Sequence, residues 1–178
     1  MAAPLETDDA IVLILGAPTE ALAVTDRIEG ITRLEKLLFL LERETPIGEL
    51  LDETAAFVSH HFGPFSTKVY KDVEVLSAAG LITDSKSVAD APVDTWESTE
   101  IIGLEGDDPY ATRDFELTDR GKRYYTALVS ELPESAERDL AKFKDRFGAL
   151  PLNQLIRYVY QKYPDYTDKS KIRDQVLG

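Results

Sequence analysis

A glycine-proline pair at residues 63–64 separates two predicted short helices at the centre of the chain. The first is Glu49–His60, in which apolar residues recur at helical spacing. The second begins after Ser66, a residue type suited to capping a helix N-terminus, and extends to about Ala79. Gly80 follows, at the position where helices commonly end in the left-handed conformation. The centre of the chain is therefore predicted to contain two helices joined by a tight turn.

Three extended segments are predicted to follow these helices. They are Leu81–Thr83, Thr95–Ile102 and Arg113–Leu117, and the last alternates apolar with polar residues. The stretches between them, 89–94 and 103–109, are rich in Asp, Gly and Pro and are predicted to be exposed hairpin loops. A small antiparallel sheet in a mostly helical chain indicates an α+β fold.

Two helices are predicted before the central pair. Asp8–Leu15 is a short apolar helix that Asp8 or Asp9 can cap. A second helix opens at Thr32 and runs to about Arg43. Glu35 follows Thr32 by three residues, which is the spacing of a capping box.

Three helices are predicted after the extended segments. They are Thr118–Leu132, Ser135–Phe147 and Leu152–Tyr163, each bounded by proline. The last has a wide apolar stripe, which predicts either a dimer contact or closure of the core. The stripe comprises Leu152, Leu155, Ile156, Val159, Tyr160 and Tyr163.

The length of 178 residues is enough for one hydrophobic core and short for two. We therefore predict a single domain over residues 1–178, with N-terminal helices in 1–45, a central unit in 46–128 and a helical extension in 129–178. The chain has no cysteine, which excludes disulfides, thiolate metal sites and cysteine nucleophiles. Its apolar runs are too short for a signal peptide or a membrane span, so a cytoplasmic protein without membrane contact is expected.

The order of the central elements is that of a winged helix-turn-helix: two helices, a β-hairpin, and a helix that starts with Leu117–Gly121. This order resembles regulators of the MarR and PadR type. The chain also resembles small prokaryotic winged-helix proteins and, more distantly, the SocA-like antitoxin domain called Panacea. The stretches that carry this second resemblance are Gly30–Leu40, His61–Ser66 and Leu76–Ile82. The resemblance implies DNA binding or neutralisation of a protein such as a toxin or a defence component, and it implies no catalysis.

The helix after Gly63-Pro64 is the candidate recognition helix, because the start of such a helix enters the major groove of double-stranded DNA. Ser66, Thr67, Lys68 and Lys71 are the exposed polar residues predicted there, and they have the groups that bond phosphates and base edges. The alternative is an ordinary solvated surface. Further phosphate contacts are predicted from Arg113, Arg120, Lys122 and Arg123.

The charge distribution favours a different partner. The net charge is −13, and because residues 138–178 carry nine basic and five acidic side chains, the first 137 residues carry −17. The predicted wing contains acidic side chains that DNA would repel. They are Glu97, Glu100, Glu105, Asp107 and Asp108. A protein-binding module without DNA contact is therefore the alternative function, and the acidic surface also suggests a high-salt habitat.

Other candidate chemistries have weak support. His60 and His61 are the only histidines and point about 100° apart on a helix, so they cannot chelate one ion together. Trp96, Tyr110 and Tyr70 have rings that can stack on bases, although single aromatics on a small sheet are usually core residues. The chain has no phosphate-binding loop or catalytic motif. We therefore expect no enzyme activity, metal or cofactor.

Overall fold

The chain forms an α+β fold, with short helices packed around a three-stranded antiparallel sheet. A computed structural model describes residues 4–20, 26–60, 63–85, 113–168, 170 and 176–177.

The helices and strands follow the chain in a mixed order. The helices are α1 (Thr7–Gly16), α2 (Ile31–Glu44), α3 (Thr67–Ala78), α4 (Asp119–Ser130), α5 (Ala136–Phe143) and α6 (Leu152–Lys162). The strands are β1 (Arg27–Glu29), β2 (Val58–His60), β3 (Gly63–Phe65), β4 (Ile82–Asp84) and β5 (Asp114–Leu117). Single 3₁₀ turns cover Pro46–Leu50 and Pro164–Tyr166, and a π-helical turn covers Lys144–Gly148.

The main sheet has the strand order β1-β5-β4, and both pairings are antiparallel. Phe115 of the central strand lies opposite Ile28 and is completely buried. The predicted segments 81–83 and 113–117 are confirmed as β4 and β5, whereas β1 was not predicted. The candidate strand Thr95–Ile102 and both predicted hairpin loops lie outside the described residues.

Helix α1 lies at the centre of the core. Residues 10–15 are buried on every side, as expected for a helix that is apolar all round, and α1 packs against α2, α3, α4 and β5. The predicted helix Asp8–Leu15 is confirmed and is longer by one residue at each end. Its capping box joins Glu6 and Asp9, with the Glu6 N–H donating to Asp9 Oδ2 at 3.0 Å.

The predicted helix Glu49–His60 is wrong. A 3₁₀ turn ends at Leu50, and the chain then extends into β2, which forms a hairpin with β3. Side chains of other elements satisfy the backbone here: the Ala55 N–H donates to Glu42 Oε1 at 2.6 Å. Ala55 and Phe57 alternate inward along this extended chain, and an alternation of only two residues is too short to be recognised in the sequence.

A buried ion pair joins α2 to the start of α3. Helix α2 begins at Ile31, so the predicted capping box of Thr32 and Glu35 is wrong. Glu35 is instead fully buried, where its carboxylate accepts hydrogen bonds from Lys36 Nζ and from the Ser66 N–H, both at 3.2 Å. Lys36, also fully buried, donates to the Pro64 carbonyl at 2.9 Å. The pair therefore fixes α2 relative to the β3–α3 junction.

A second buried lysine stabilises the C-terminal end of α1. Lys144 Nζ donates to the carbonyls of Leu15 at 2.7 Å and Ala17 at 2.9 Å, where a cation also complements the helix dipole. The side chain lies in the core, and burial lowers the pKa of Lys144 to about 8, although Asp26 and Asp145 oppose this effect.

Stability is expected to rise between pH 8 and about pH 10. In this window the unfolded chain holds a proton on Lys144, whose ordinary pKa is about 10.4, whereas the folded chain has released it. The gain is up to about 3 kcal/mol, at ~1.4 kcal/mol per pH unit. Above about pH 10 stability should fall, because burial and carboxylate contacts raise the pKa of Tyr124 and Tyr125 in the folded state. Urea unfolding at several pH values tests this, and the rise should be absent in Lys144→Met.

The apolar stripe of α6 closes the core of its own chain. Leu155, Ile156, Val159 and Tyr160 are completely buried, and Leu152 and Tyr163 are half-buried. The first four are therefore inaccessible to a second copy, and the prediction that they form a dimer contact is wrong. None of the helices in the described ranges combines the length and apolar character that a membrane span requires.

Candidate functional site

The outward side of α3 is the candidate site. Val69, Val73 and Leu76 on the opposite side are buried, and α3 packs against α1 and β4. We define the α3 face as the exposed residues Thr67, Lys71, Glu74, Val75 and Ala78, with the half-exposed Lys68 beside them. The face is polar and basic where α3 begins and is apolar towards its end.

Ser66 fixes the start of α3 from inside the protein. Its hydroxyl accepts a hydrogen bond from the Val69 N–H at 3.4 Å and donates one to the Ala55 carbonyl. The predicted cap is confirmed, but Ser66 is buried, so the prediction that it is exposed is wrong. The Ser66 side chain faces the interior because its hydroxyl also bonds the Ala55 carbonyl of the neighbouring segment.

The two lysines of α3 differ in their surroundings. Lys68 has 35% of its side chain exposed and forms an ion pair with Asp72, one turn further along, at 3.3 Å. Lys71 is exposed, as is Thr67. With Glu74 included, the face and Lys68 carry a net charge of +1.

Arg113 is not a surface cation. It is buried, and its guanidinium group donates three hydrogen bonds to the Asp84 carboxylate: Nε to Oδ1 at 3.0 Å and to Oδ2 at 3.3 Å, and Nη2 to Oδ2 at 2.7 Å. The predicted phosphate contact is therefore wrong for this residue. The pair instead joins the end of β4 to the residue before β5, on either side of residues 86–112 in the sequence.

The other predicted phosphate ligands lie at the start of α4. Arg120, Lys122 and Arg123 are all exposed, and Lys122 Nζ is 4.0 Å from Asp26. Thr118 caps this helix as predicted, accepting from the Gly121 N–H at 3.0 Å and donating to the Gly80 carbonyl at 2.6 Å.

The structure places the two predicted basic groups at opposite ends of α3. Gly80 follows the C-terminus of α3 and contacts the start of α4, whereas Thr67 and Lys71 lie in the first turns of α3. Eleven residue steps at 1.5 Å separate the ends of α3 by roughly 16 Å. A small ligand therefore cannot contact both groups.

Several predicted residues do not contribute to the described surface. Tyr70 is buried, with its ring 5.4 Å from that of Phe65, so the core interpretation is confirmed for it. The acidic residues of the predicted wing, Trp96, Tyr110 and His61 lie outside the described residues, as does the side chain of His60. In the part of the chain that the structure describes, no group of three or more His, Asp and Glu residues is placed to hold a metal ion.

Comparisons with models of protein families, with curated proteins and with solved structures find no match for this chain. The winged-helix resemblance therefore stays a prediction, and the function has to be inferred from the geometry of the chain itself.

Proposed function

We propose that this protein is a DNA-binding regulator of the winged-helix type that inserts the start of α3 into the major groove. The observation that supports this most is a capped helix with Thr67, Lys68 and Lys71 at its start, followed by the antiparallel pair β4–β5. Residues 86–112 join these strands in the sequence, as the wing does in a winged helix.

The arrangement of the elements supports the proposal. A recognition helix needs a second helix that holds it at a fixed angle, and α2 meets this need because Glu35 accepts the Ser66 N–H. The expected order is two helices joined by a tight turn, then β4, β5 and α4. The first of these two helices is replaced by the β2–β3 hairpin, so α2 is the helix that precedes α3, and residues 45–66 separate the two. A recognition helix held this firmly loses little conformational entropy when it binds.

The chemistry of the α3 face suits the start of a recognition helix. Lysine bonds phosphates and guanine edges, a threonine hydroxyl bonds either, and the N-terminus of a helix favours an anion. Lys68 has 35% of its side chain exposed and can turn to a phosphate, although this takes it from Asp72, whose side chain is only 11% exposed, so the new contact has to offset the loss of that pair. Arg120, Lys122 and Arg123 then take the phosphate contacts that the buried Arg113 does not make.

Charge reversal on α3 should abolish DNA binding. We expect Lys68→Glu combined with Lys71→Glu to weaken binding to the duplex upstream of the gene by at least about 100-fold, since base contacts contribute ~1–3 kcal/mol each. The slope of log K against log salt should also become shallower by about 1 per lost phosphate contact. Fluorescence anisotropy across a salt series, with a scrambled duplex for comparison, measures both effects.

The control for this experiment is Arg138→Glu combined with Lys142→Glu, which reverses two exposed basic residues on α5, far from α3 in the sequence. It changes the net charge by the same amount as the α3 variant and should leave specific binding nearly unchanged. Equal losses in the control and in the α3 variant would show that only net charge matters and would refute the role of α3.

A protein partner is the second candidate, and two observations favour it. Residues 86–112 contain seven acidic residues and one basic residue, which suits a basic protein better than DNA. Val75, on the α3 face, is 48% exposed and, with the exposed Ala78 one turn further along, offers a protein partner an apolar contact that DNA would not use. Val75→Asp should then abolish complex formation with the protein encoded by the adjacent gene, measured by pull-down of the purified pair, whereas Lys71→Glu should not.

A further inference from the structure

A cavity of about 230 Å³ lies between the start of α1 and the C-terminal half of α4. Leu5, Leu128 and Leu132 contribute to its apolar wall. Asp9, Tyr124 and Glu131 contribute polar groups to the same cavity. No described lining residue belongs to α3, so the proposed DNA contact does not use the cavity.

The polar side of the cavity is anionic. Asp9 is 9% exposed, and its oxygens accept from the Glu6 N–H at 3.0 Å and from the Tyr124 hydroxyl at 2.5 Å. A carboxylate has about four acceptor positions, so Asp9 has capacity for another donor. Glu131 is exposed at the rim, and the described lining residues include no cationic side chain.

Neighbouring carboxylates add to this negative potential. Asp8 follows Glu6 by two residues and precedes Asp9, and burial together with the charges of Asp9, Asp72 and Glu6 raises the pKa of the Asp8 carboxyl group. The N-terminal dipole of α1 balances part of this charge. The helix dipole does not explain why apolar side chains form a cavity next to the same carboxylates.

We propose that this cavity binds a small organic cation with an apolar body, of the arylalkylamine class. The apolar body would contact the leucine wall, and the ammonium group would lie near Asp9 and Glu131. The ring of Tyr124, which is 38% exposed, offers an additional surface for a cation. Because the cavity is smaller than the ~300–1,000 Å³ typical of drug-sized ligands, the ligand is of fragment size. The binding does not depend on the proposed DNA-binding function.

Three compounds of nearly equal shape test the charge requirement. Isothermal titration calorimetry with 2-phenylethylamine, 2-phenylethanol and 3-phenylpropionate compares a cation, a neutral molecule and an anion. The cation should bind at least about fivefold more tightly than the alcohol, since two unit charges 4 Å apart interact with about 1 kcal/mol in water. The anion should not bind. Equal binding of the cation and the alcohol would overturn the proposal, as would no binding of the cation at concentrations up to about 10 mM.

Variants then locate the site on the protein. Glu131→Gln should weaken amine binding about fivefold. Glu134→Gln removes an exposed carboxylate that does not line the cavity and should have no effect. Ala127→Trp, on the exposed surface of α4, should fill the cavity and abolish binding while the circular dichroism spectrum stays unchanged. Amine binding that survives Ala127→Trp would place the ligand elsewhere and refute the assignment.

Discussion

Replacing Lys36 with methionine is expected to lower the free energy of unfolding by about 3–5 kcal/mol. The substitution leaves the Glu35 carboxylate in a fully buried position without the ammonium group that lies 3.2 Å from it. It also removes the donor to the Pro64 carbonyl. Both losses occur at the junction that positions α3, so α2 and the hairpin should loosen together. Urea unfolding followed by circular dichroism gives the value.

Two further variants separate charge from packing. Glu35→Gln with Lys36→Met removes both charges and retains an amide oxygen that can accept the Ser66 N–H, so it should recover a large part of the lost stability. Lys68→Met breaks the partly exposed Lys68–Asp72 pair, in which Lys68 keeps 35% of its side chain in contact with water, and should cost clearly less than Lys36→Met. If Lys36→Met costs no more than Lys68→Met, the buried pair does not hold the junction.

Gly121→Ala is expected to destabilise the protein by about 3 kcal/mol, because the added methyl group has no space. A Cβ atom at this position would lie 2.0 Å from the Leu81 carbonyl oxygen and 3.0 Å from Leu117 Cδ2. The first neighbour is backbone at the start of β4, so it cannot move aside as a flexible side chain would. The close approach explains why glycine occupies the first turn of α4. Thermal and urea unfolding both measure the effect.

The sign of this effect distinguishes packing from helix propensity. In a helix, alanine is normally more favourable than glycine by about 1 kcal/mol. Ala127→Gly, at an exposed position of the same helix, should therefore destabilise the protein by about that amount. An alanine at position 121 that stabilised the protein would show that α4 can shift away from Leu81, contrary to the geometry.

Helices with local signals were predictable from the sequence. Ser66 and Thr118 cap α3 and α4 as predicted. Such caps can be recognised in the sequence because the capping side chain and the N–H group that donates to it lie within three residues of each other. Strand β1 was missed because its three residues include one apolar side chain, Ile28, and no alternation can be recognised in so short a segment. Glu49–His60 was misassigned because its backbone is satisfied by Glu42 and Leu5, which are distant in sequence.

The candidate site was predictable only in its residue types. The sequence shows that Arg113 is cationic, but not that Asp84, 29 residues earlier, pairs with it in the core. Ser66 was correctly identified as a cap, yet its burial depends on the Ala55 carbonyl, whose position follows from the unpredicted extended segment. Thr67 and Lys71 are exposed as expected, because their neighbours Val69 and Val73 define the buried side of α3.

The Arg113–Asp84 pair also has a consequence for how this protein can diversify. Together with the Ser85 N–H, which donates to the Asp114 carbonyl at 3.0 Å, the pair fastens both ends of the 86–112 segment to adjacent strands about 4.8 Å apart. Closing a longer loop between fixed ends is inexpensive, at about 0.6 kcal/mol for each doubling of its length. A segment whose two ends are fixed in this way can therefore change in length at little cost to the pairing of β4 with β5.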